Sequence, residues 1–279
     1  MPIDKTKSTQ SMPALTEGQW QEFQDKGYLR LGRILNGDEL RAQQQRIDDI
    51  MLGKANVDYE RLIMQLDRGA SSYANVGEQT TGFKGATLDY RKIQGLDLDP
   101  LFLSYLQRPL FKNICERTYG ENPVLCLRAM FMNKPAHRGS VLPWHQDRWT
   151  TFDRDPQITV WTALDPATTE NGCVHIIEGS HRKLINPDHP SGFLTEKQIE
   201  EVEKDAVVVP LILEAGEAIL LHNWLLHTSD VNHSDIPRRA FSVCYMDGET
   251  RIAENGQPVD GLQAVFGKGS IGPNYQNTT

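Results

Sequence analysis

The chain has 279 residues, a formal net charge of −8 and a hydrophobic fraction of 39%. This length suits a single domain whose core needs neither disulfides nor a structural metal. The acidic balance and the lack of a basic run weigh against nucleic acid or an anionic membrane as a partner.

The N-terminus and the cysteines bear on cellular location. Residues 1–14 are polar and predict a disordered leader rather than a secretory signal, and no apolar run approaches the length that spans a bilayer. The four cysteines are scattered without paired spacing, mostly in apolar surroundings: Cys115, Cys126, Cys173 and Cys244. This usage favours buried thiols in a reducing compartment over a disulfide framework or a zinc site. We therefore expect a cytoplasmic protein.

Helical patterns come first along the chain. Thr16 and Gln19 have the spacing of a capping box, which predicts a helix that ends near Gly27. A second helix is expected to open at Asp38 and to run to about residue 52. Periodic Leu, Phe and Ile residues predict a third helix over residues 100–119.

The segment between the second and third helices has two readings. Residues 69–84 are rich in Gly, Ser, Thr and Asn and have little apolar support. They could form a plain surface loop, or a lid that orders over bound substrate and excludes water. We assign this lid-like segment to about residues 53–90.

Short strands and turns follow from Val124 onward. Residues 158–164 alternate as a strand should, and residues 239–245 have the β-branched and aromatic content of a strand. This pattern is typical of a double-sheet jelly roll. We expect a mostly β fold with flanking helices, in which a double-stranded β-helix (cupin-like) core at about residues 124–247 is buttressed by the N-terminal helices.

The domain plan follows from these elements. Residues 15–279 are expected to form a single domain, because nothing in the sequence requires a second fold. Its C-terminal tail, residues 248–279, is rich in Gly, Asn and Gln. That tail either contacts substrate or is a frayed terminus.

One apolar stretch carries a potential metal site. His145 and Asp147 are two positions apart in a predicted strand, so their side chains should project to the same face. Two imidazoles and one carboxylate leave three coordination positions open, which suits iron(II) that must also bind a co-substrate and oxygen. About one histidine with an acidic residue two positions later is expected by chance, and a second pair does occur at His233 and Asp235. That pair lies in a polar run that no histidine follows.

The third ligand has several candidates: His175, His181, His222, His227 and His233. Eleven residues after His227 comes Arg238, at the head of a predicted strand. A guanidinium group suits a carboxylate, because its planar fork makes two parallel charge-assisted hydrogen bonds. A metal with an arginine nearby suggests a dicarboxylate co-substrate.

These residues resemble the phytanoyl-CoA dioxygenase family of iron(II)/2-oxoglutarate-dependent oxygenases. The family has a His-x-Asp motif, a distal histidine followed two residues later by serine, and an arginine eleven residues after that histidine. The matching residues here are His145, Asp147, His227, Ser229 and Arg238. Residues 128–134 and 171–181 are also similar to the family, and the likeness covers roughly residues 16–247. Only His227 has Ser229 and Arg238 at the matching spacings, whereas His222 could support the ligands from behind.

The resemblance implies roles for these residues. His145, Asp147 and His227 would bind iron(II), and Arg238 would hold the far carboxylate of 2-oxoglutarate, with oxygen as the second co-substrate. Ser229, Trp161 and Asn133 would line the 2-oxoglutarate pocket. The halogenases of this family lack the metal-binding carboxylate, so the presence of Asp147 disfavours halogenation.

The substrate side is less defined by the sequence. Trp149 would share the face of the metal ligands and could touch substrate, although a core role is equally compatible. Arg128 could reach a carboxylate of the substrate or the co-substrate. The absence of an obvious cationic cluster favours a small or medium metabolite over a coenzyme A thioester.

The expected function is hydroxylation, or another oxidation, of a C–H bond in such a metabolite, coupled to decarboxylation of 2-oxoglutarate to succinate. A cupin-like metal-binding protein or isomerase that does not use 2-oxoglutarate is the alternative, since jelly rolls host many functions. Arg238 discriminates between the two, because the alternative needs no carboxylate clamp.

Overall fold

The computed structural model describes residues 14–69, 77–204 and 206–271. The helices in these ranges are α1 (Glu17–Lys26), α2 (Gly37–Met51), α3 (Pro100–Leu106), α4 (Pro109–Tyr119) and α5 (Glu196–Glu203). The strands are β1 (Tyr28–Arg33), β2 (Ile63–Leu66), β3 (Thr80–Thr81), β4 (Tyr90–Gln94), β5 (Val124–Met132), β6 (Leu142–His145), β7 (Ile158–Ala163), β8 (Val174–Ile177), β9 (Val208–Pro210), β10 (Glu217–His222), β11 (His227–Ser229), β12 (Ala240–Asp247) and β13 (Ala264–Phe266).

Local sequence signals explain where the helices begin. The Thr16 hydroxyl accepts a hydrogen bond from the Gln19 amide, and the Gln19 side chain accepts one from the Thr16 amide, which confirms the expected capping box of α1. The prediction that α2 opens at Asp38 is wrong by one position, because Asn36 is its cap. The prediction of one helix over residues 100–119 is also wrong. The residue before a proline avoids the helical region, and Arg108 takes an extended conformation before Pro109 that separates α3 from α4.

The strands form two antiparallel sheets. The larger sheet has the order β1, β10, β7, β12, β5, β4, β2 and β3, and β13 pairs with β5 outside this path. The smaller sheet has the order β6, β11, β8 and β9. Neighbouring strands are mostly far apart in the sequence, as expected when a chain winds through both sheets of a jelly roll. The predicted fold class is confirmed.

The larger sheet is buried on both faces. On β7, Ile158 and Val160 pack in the main core with residues of α1 to α4, whereas Trp161 points to the opposite side, toward the smaller sheet. On β12, Phe241 lies with its ring centroid 4.8 Å from that of Phe102 of α3. Each large apolar side chain buried in this way contributes roughly 1.5–3 kcal/mol. The helices therefore hold one face of the sheet rigid, and the space between the two sheets is left for a cavity.

The segments expected to be a lid and a tail both join the larger sheet in part. β2 and β3 extend this sheet beyond β4, while residues 70–76 lie outside the described ranges. β13 pairs with β5 and buries Phe266. Most of the expected leader, residues 1–14, also lies outside the described ranges, so the division into leader, lid and tail stays a prediction. No helix within the described ranges is long and apolar enough to cross a membrane.

Candidate metal centre and cavity

Strand pairing brings two histidines together. β6 and β11 are antiparallel neighbours, and His145 and His227 are direct partners in their register. Directly opposed residues place their side chains on the same face of a sheet, and here the ring centroids are 4.0 Å apart. The expectation that a single strand carries both His145 and Asp147 is wrong, because β6 ends at His145.

Asp147 reaches the two histidines from the loop after β6. Its main-chain amide donates to the Asn223 carbonyl at 2.7 Å, which fixes the backbone next to β10. Its Oδ1 atom lies 3.8 Å from the His145 Nε2 atom. One ligand atom from each of His145, Asp147 and His227 lies within 4.8 Å of the others, and this is the group of potential metal ligands found in the described part of the chain.

Both imidazoles present the same nitrogen to the centre of this group. The Nδ1 atom of His145 lies 2.9 Å from the Pro143 carbonyl, and that of His227 lies 2.8 Å from the Leu225 carbonyl. A carbonyl oxygen can only accept, so Nδ1 carries the proton and Nε2 keeps its lone pair. Metal-bound histidines are typically held this way, with the second nitrogen donating to a carbonyl.

Burial and neighbouring charges set the protonation states. Burial, together with nearby His227, lowers the pKa of His145 to about 3. Burial alone would raise the pKa of Asp147, but His227, His145 and Arg128 outweigh it and hold that pKa below its usual value. A neutral imidazole and an ionised carboxylate are the forms that bind a metal.

Gln146 holds in place the loop that carries Asp147. Its fully buried side chain donates to the carbonyls of Lys183 and Trp224 and accepts from the amide of Ile185. Its main-chain amide donates to the carbonyl of Gly192, which has a φ of +64°. A Cβ atom at position 192 would lie 1.9 Å from the Gln146 carbonyl oxygen. Only glycine fits this close approach.

The three residues lie in a cavity of about 300 Å³ between the two sheets. Arg238 lines the cavity at its buried side and is only 3% exposed. Its Nε and Nη1 atoms have no hydrogen-bond partner within the described ranges, and burial lowers its pKa to about 10. Unpaired buried donors are costly and therefore uncommon. Their presence indicates that this side of the cavity is built to receive an acceptor.

The other expected co-substrate residues surround Arg238. The Arg238 Cζ atom lies 5.5 Å from the centroid of the Trp161 ring, whose Nε1 atom also lacks a partner among the described residues. Buried Ser229 lines the cavity and also a smaller recess behind it. Asn133 lines that recess and not the cavity, because its amide donates to the Tyr90 and Leu88 carbonyls.

His222, the rival third ligand, lines the cavity outside the ligand group. Its Nδ1 atom accepts a hydrogen bond from the Trp224 amide at 3.1 Å. Burial, and then His181, lowers the pKa of His222 to about 4. The structure therefore gives His222 a supporting position beside the cavity.

Two residues that sequence reasoning missed also line the cavity. Lys92 comes from β4, and burial followed by Arg91 and Arg128 lowers its pKa to about 7. Phe193 stacks on His145 with ring centroids 4.9 Å apart. The alternation of buried Ile93 with Lys92 is the only sequence signal that could have placed that lysine on the cavity face.

Both candidate substrate residues line the same cavity. Arg128 and Trp149 are half-buried, and the Arg128 Cζ atom lies 5.0 Å from the centroid of the Trp149 ring. Positively charged side chains from separate parts of the chain thus line the cavity. They are Lys92 of β4, Arg128 of β5 and Arg238, two residues before β12. The expectation of no cationic cluster holds for the linear sequence but not for the folded chain.

A jelly roll whose sheets enclose two histidines and a carboxylate, with an unpaired arginine beyond them, has the architecture of non-haem iron oxygenases. The family model described as Phytanoyl-CoA dioxygenase (PhyH) matches residues 23–240. The chain belongs to the phytanoyl-CoA dioxygenase family. It is accordingly a non-haem iron, 2-oxoglutarate-dependent dioxygenase, which removes the alternative of a cupin-like protein that does not use 2-oxoglutarate.

Individual relatives agree with this assignment. Phytanoyl-CoA dioxygenase domain-containing protein 1 of Danio rerio is 28% identical over 285 residues, which cover 91% of this chain and 97% of that protein. Among solved structures, EctD from S. alaskensis with 2-oxoglutarate and 5-hydroxyectoine has a TM-score of 0.69 at 18% identity and covers 98% of this chain and 90% of its own. The carbocyclase SnoK from nogalamycin biosynthesis has a TM-score of 0.64 at 18% identity and covers 88% and 94%.

Proposed function

We propose that the protein hydroxylates a C–H bond of a small or medium metabolite and consumes 2-oxoglutarate and oxygen in doing so. One observation carries this proposal. A possible iron-binding group and a buried arginine with two unpaired nitrogens line the same cavity. Among the described residues, no acceptor satisfies these two nitrogens of Arg238.

The donor set fits iron(II). His145 and His227 would bind through Nε2, and Asp147 through one carboxylate oxygen, while three further coordination positions stay available. The hydrogen bonds from Nδ1 to the Pro143 and Leu225 carbonyls fix both ring orientations before the metal arrives. A site organised in advance loses less entropy on binding.

The far side of the cavity fits a dicarboxylate. The Arg238 guanidinium can donate two hydrogen bonds to one carboxylate. The Trp161 ring beside it adds an Nε1 donor that lacks a partner among the described residues. Ser229 lies on the same side, and Lys92 lines both the cavity and the recess behind it. A bound carboxylate would pair with the buried guanidinium, whose charge is otherwise uncompensated.

When bound, iron(II) and 2-oxoglutarate supply the oxidising chemistry, in which one atom of O₂ enters succinate, the other enters the product alcohol, and carbon dioxide leaves. The chain itself positions the reactants and keeps water away from them. Phe193, stacked on His145, covers one side of the ligand group with an apolar ring. No side-chain general base is required for this function.

We infer a reducing, intracellular location and a small-molecule substrate. All four cysteines are buried and free, which supports a compartment in which disulfides do not form. The net charge of −8 supports neither nucleic acid nor an anionic membrane as a partner. Thiol titration of protein denatured without reductant should find four thiols per chain.

Succinate release tests the proposed function. Purified protein with iron(II), ascorbate and 2-oxoglutarate should release succinate, and His145→Ala, Asp147→Ala and Arg238→Ala should each abolish the release. Metal analysis should show iron lost from the first two variants and retained by the third. His175→Ala is the matched control, because this histidine lies on neighbouring β8 but does not line the cavity. Equal succinate release from the control and the ligand variants would overturn the proposal.

A further inference from the structure

We propose that the substrate carries a carboxylate or phosphate group, which Arg128 binds on the side of the cavity away from Arg238. This inference rests on the proposed function, since it assigns the substrate class of the same site. The argument uses the charges that line the cavity, the contacts of Arg128 and its distance from Arg238.

The cavity lining contains more positive than negative charge. Its charged residues are Lys92, Arg128, Asp147, Arg148 and Arg238. Arg148 has a carboxylate partner outside the cavity, because its Nη1 atom lies 3.7 Å from an oxygen of Asp155. Asp147 and Arg238 have assigned roles with the metal and the co-substrate. Lys92 lies by the recess on the co-substrate side, so Arg128 is left without a role.

Within the described ranges Arg128 forms no ion pair, although Asp147 is near enough to feel its charge. Its guanidinium makes no hydrogen bond or ion pair with a side chain in the part of the chain that the structure describes, and its close contact is with the ring of Trp149. A cation over an aromatic face is attracted to it but keeps its full charge. The Trp149 amide donates to Asp155 at 2.7 Å, which fixes the backbone beneath that ring. Arg128 is therefore held in place with its donors free.

The strand register separates Arg128 from Arg238. Arg128, Met130 and Met132 line the cavity from alternate positions of β5. Arg128 is opposite Cys244 on β12, and Arg238 comes six residues before Cys244. Six residues of extended chain span roughly 20 Å. Side chains stand roughly perpendicular to a sheet, so this backbone separation argues against one five-carbon dicarboxylate binding to both guanidinium groups.

The charges in the site with metal and co-substrate bound also support a substrate anion at Arg128. The doubly positive metal and the doubly negative co-substrate cancel. The carboxylate of Asp147 can then balance a single positive charge, whereas Arg128, Arg238 and Lys92 all line the cavity. A net positive charge therefore remains, and Arg128 lies close enough to Asp147 to act on it electrostatically. In a largely enclosed cavity an uncompensated charge is costly, and a substrate anion removes that cost. A substrate held by this anion at Arg128 would extend toward the metal ligands.

Equilibrium binding to the iron(II) and 2-oxoglutarate complex under anaerobic conditions tests the proposal without turnover. The probes are hexanoate, phenylacetate and phenyl phosphate, each compared by calorimetry with its uncharged counterpart, namely hexanamide, phenylacetamide and phenol. At least one anion should bind roughly 10- to 100-fold more tightly than its counterpart, the range expected for a charge-assisted hydrogen bond. Comparison of the two carboxylate probes with phenyl phosphate identifies which anion the site prefers.

Substitutions assign any preference to Arg128. Arg128→Gln should remove the preference, Arg128→Lys should keep part of it, and Arg30→Gln should leave it unchanged. Arg30 is the matched control because it is a β1 arginine of the same sheet, outside the cavity, that donates to the Ile212 carbonyl. Arg128→Lys also keeps the test usable if Arg128→Gln fails to fold. A wild-type protein with no preference for any anion, or a preference that survives in Arg128→Gln, overturns the proposal.

A separate titration with 2-oxoglutarate keeps the two proposals distinguishable. Arg128→Gln should bind 2-oxoglutarate as tightly as the wild type does. A large loss of that affinity would assign Arg128 to the co-substrate and would overturn the inference while leaving the proposed function intact. If the wild type itself does not bind 2-oxoglutarate, the proposed function fails, and the anion preference can still be measured in the iron(II) form.

Discussion

Arg238 is a cation that folding buries without a partner, so its replacement by methionine should stabilise the ligand-free protein. The side chain is 3% exposed, and its Nε and Nη1 atoms contact no acceptor within the described ranges. Methionine keeps the apolar stem and removes the charge. Most substitutions at buried positions destabilise a protein, so an increase in stability would be a specific result.

The lowered pKa of Arg238 gives the expected size of the effect. Burial lowers this pKa from the usual value of an arginine to about 10, a difference that corresponds to about 3 kcal/mol. Because the pKa is lower in the folded state than in the unfolded state, the charged form destabilises folding. This cost is fully present below pH 10 and disappears as the pH rises toward that usual value. With some loss from imperfect repacking, Arg238→Met should raise the free energy of unfolding by about 1–3 kcal/mol at pH 7.

Thermal melts with and without 2-oxoglutarate provide the assay. In the iron(II) form without co-substrate, Arg238→Met should melt several degrees above the wild type, since each kcal/mol shifts Tm by about 2–4 °C in a chain of this size. At a concentration of 100 Kd, 2-oxoglutarate should stabilise the wild type by about 2.7 kcal/mol. It should leave the Tm of Arg238→Met unchanged.

The neighbouring Arg239 is the matched control. Its Nε atom lies 2.7 Å from Asp165 and its Nη1 atom 2.6 Å from Asp48. Arg239→Met removes the ion-pair partner of Asp165, which then accepts, among the described residues, only from the residue 239 amide and Gln44. It should lower the free energy of unfolding by roughly 3 kcal/mol and keep the response to 2-oxoglutarate. The reasoning is refuted if both variants lose similar stability, or if 2-oxoglutarate still stabilises Arg238→Met.

Three further predictions follow from the site and its surroundings. Gly192→Ala would place a Cβ atom 1.9 Å from the Gln146 carbonyl oxygen, so metal analysis should find less bound iron and melts should show a lower Tm; unchanged iron content would contradict the role of this contact. Burial, with the neighbouring arginines, lowers the pKa of Lys134 to about 6, so the protonated form is disfavoured in the folded state and stability falls as the pH drops from about 10.5 to 6. Lys134→Met should therefore raise Tm more at pH 6 than at pH 9, and equal gains at both would refute this. His222→Ala should retain iron after gel filtration, and His227→Ala should lose it; the reverse pattern would exchange their roles.

The candidate ligands could be recognised in the sequence by short spacings, namely the two positions from His145 to Asp147 and the interval from His227 to Ser229 and Arg238, although His227 meets His145 only through the pairing of β6 and β11. His145 and Asp147 are two positions apart, which keeps them close in space, but β6 ends at His145, and the hydrogen bond from the Asp147 amide to the Asn223 carbonyl positions Asp147. The capping box at Thr16 is likewise a local signal that the structure confirms. Signals of this kind need no knowledge of what packs against them.

Other parts of the site depend on contacts between distant segments. Lys92 reaches the cavity because β4 pairs with β5, where Lys92 lies opposite Met132. Phe193 reaches His145 through a single β-bridge between their segments. Neither pairing can be recognised from the spacing of the residues next to Lys92 or Phe193 in the sequence. Charges that are isolated in the sequence, such as Arg128, become neighbours only when the sheets form.

The register that sets His227 opposite His145 ties metal capture to the completion of folding. β6 and β11 are far apart along the chain, so their pairing closes a long loop, and contacts of this kind form slowly. A partly folded chain has no complete set of ligands. If these residues hold iron as proposed, iron would bind only molecules whose smaller sheet has closed, and the iron content of a purified preparation would set a lower bound on its correctly assembled fraction.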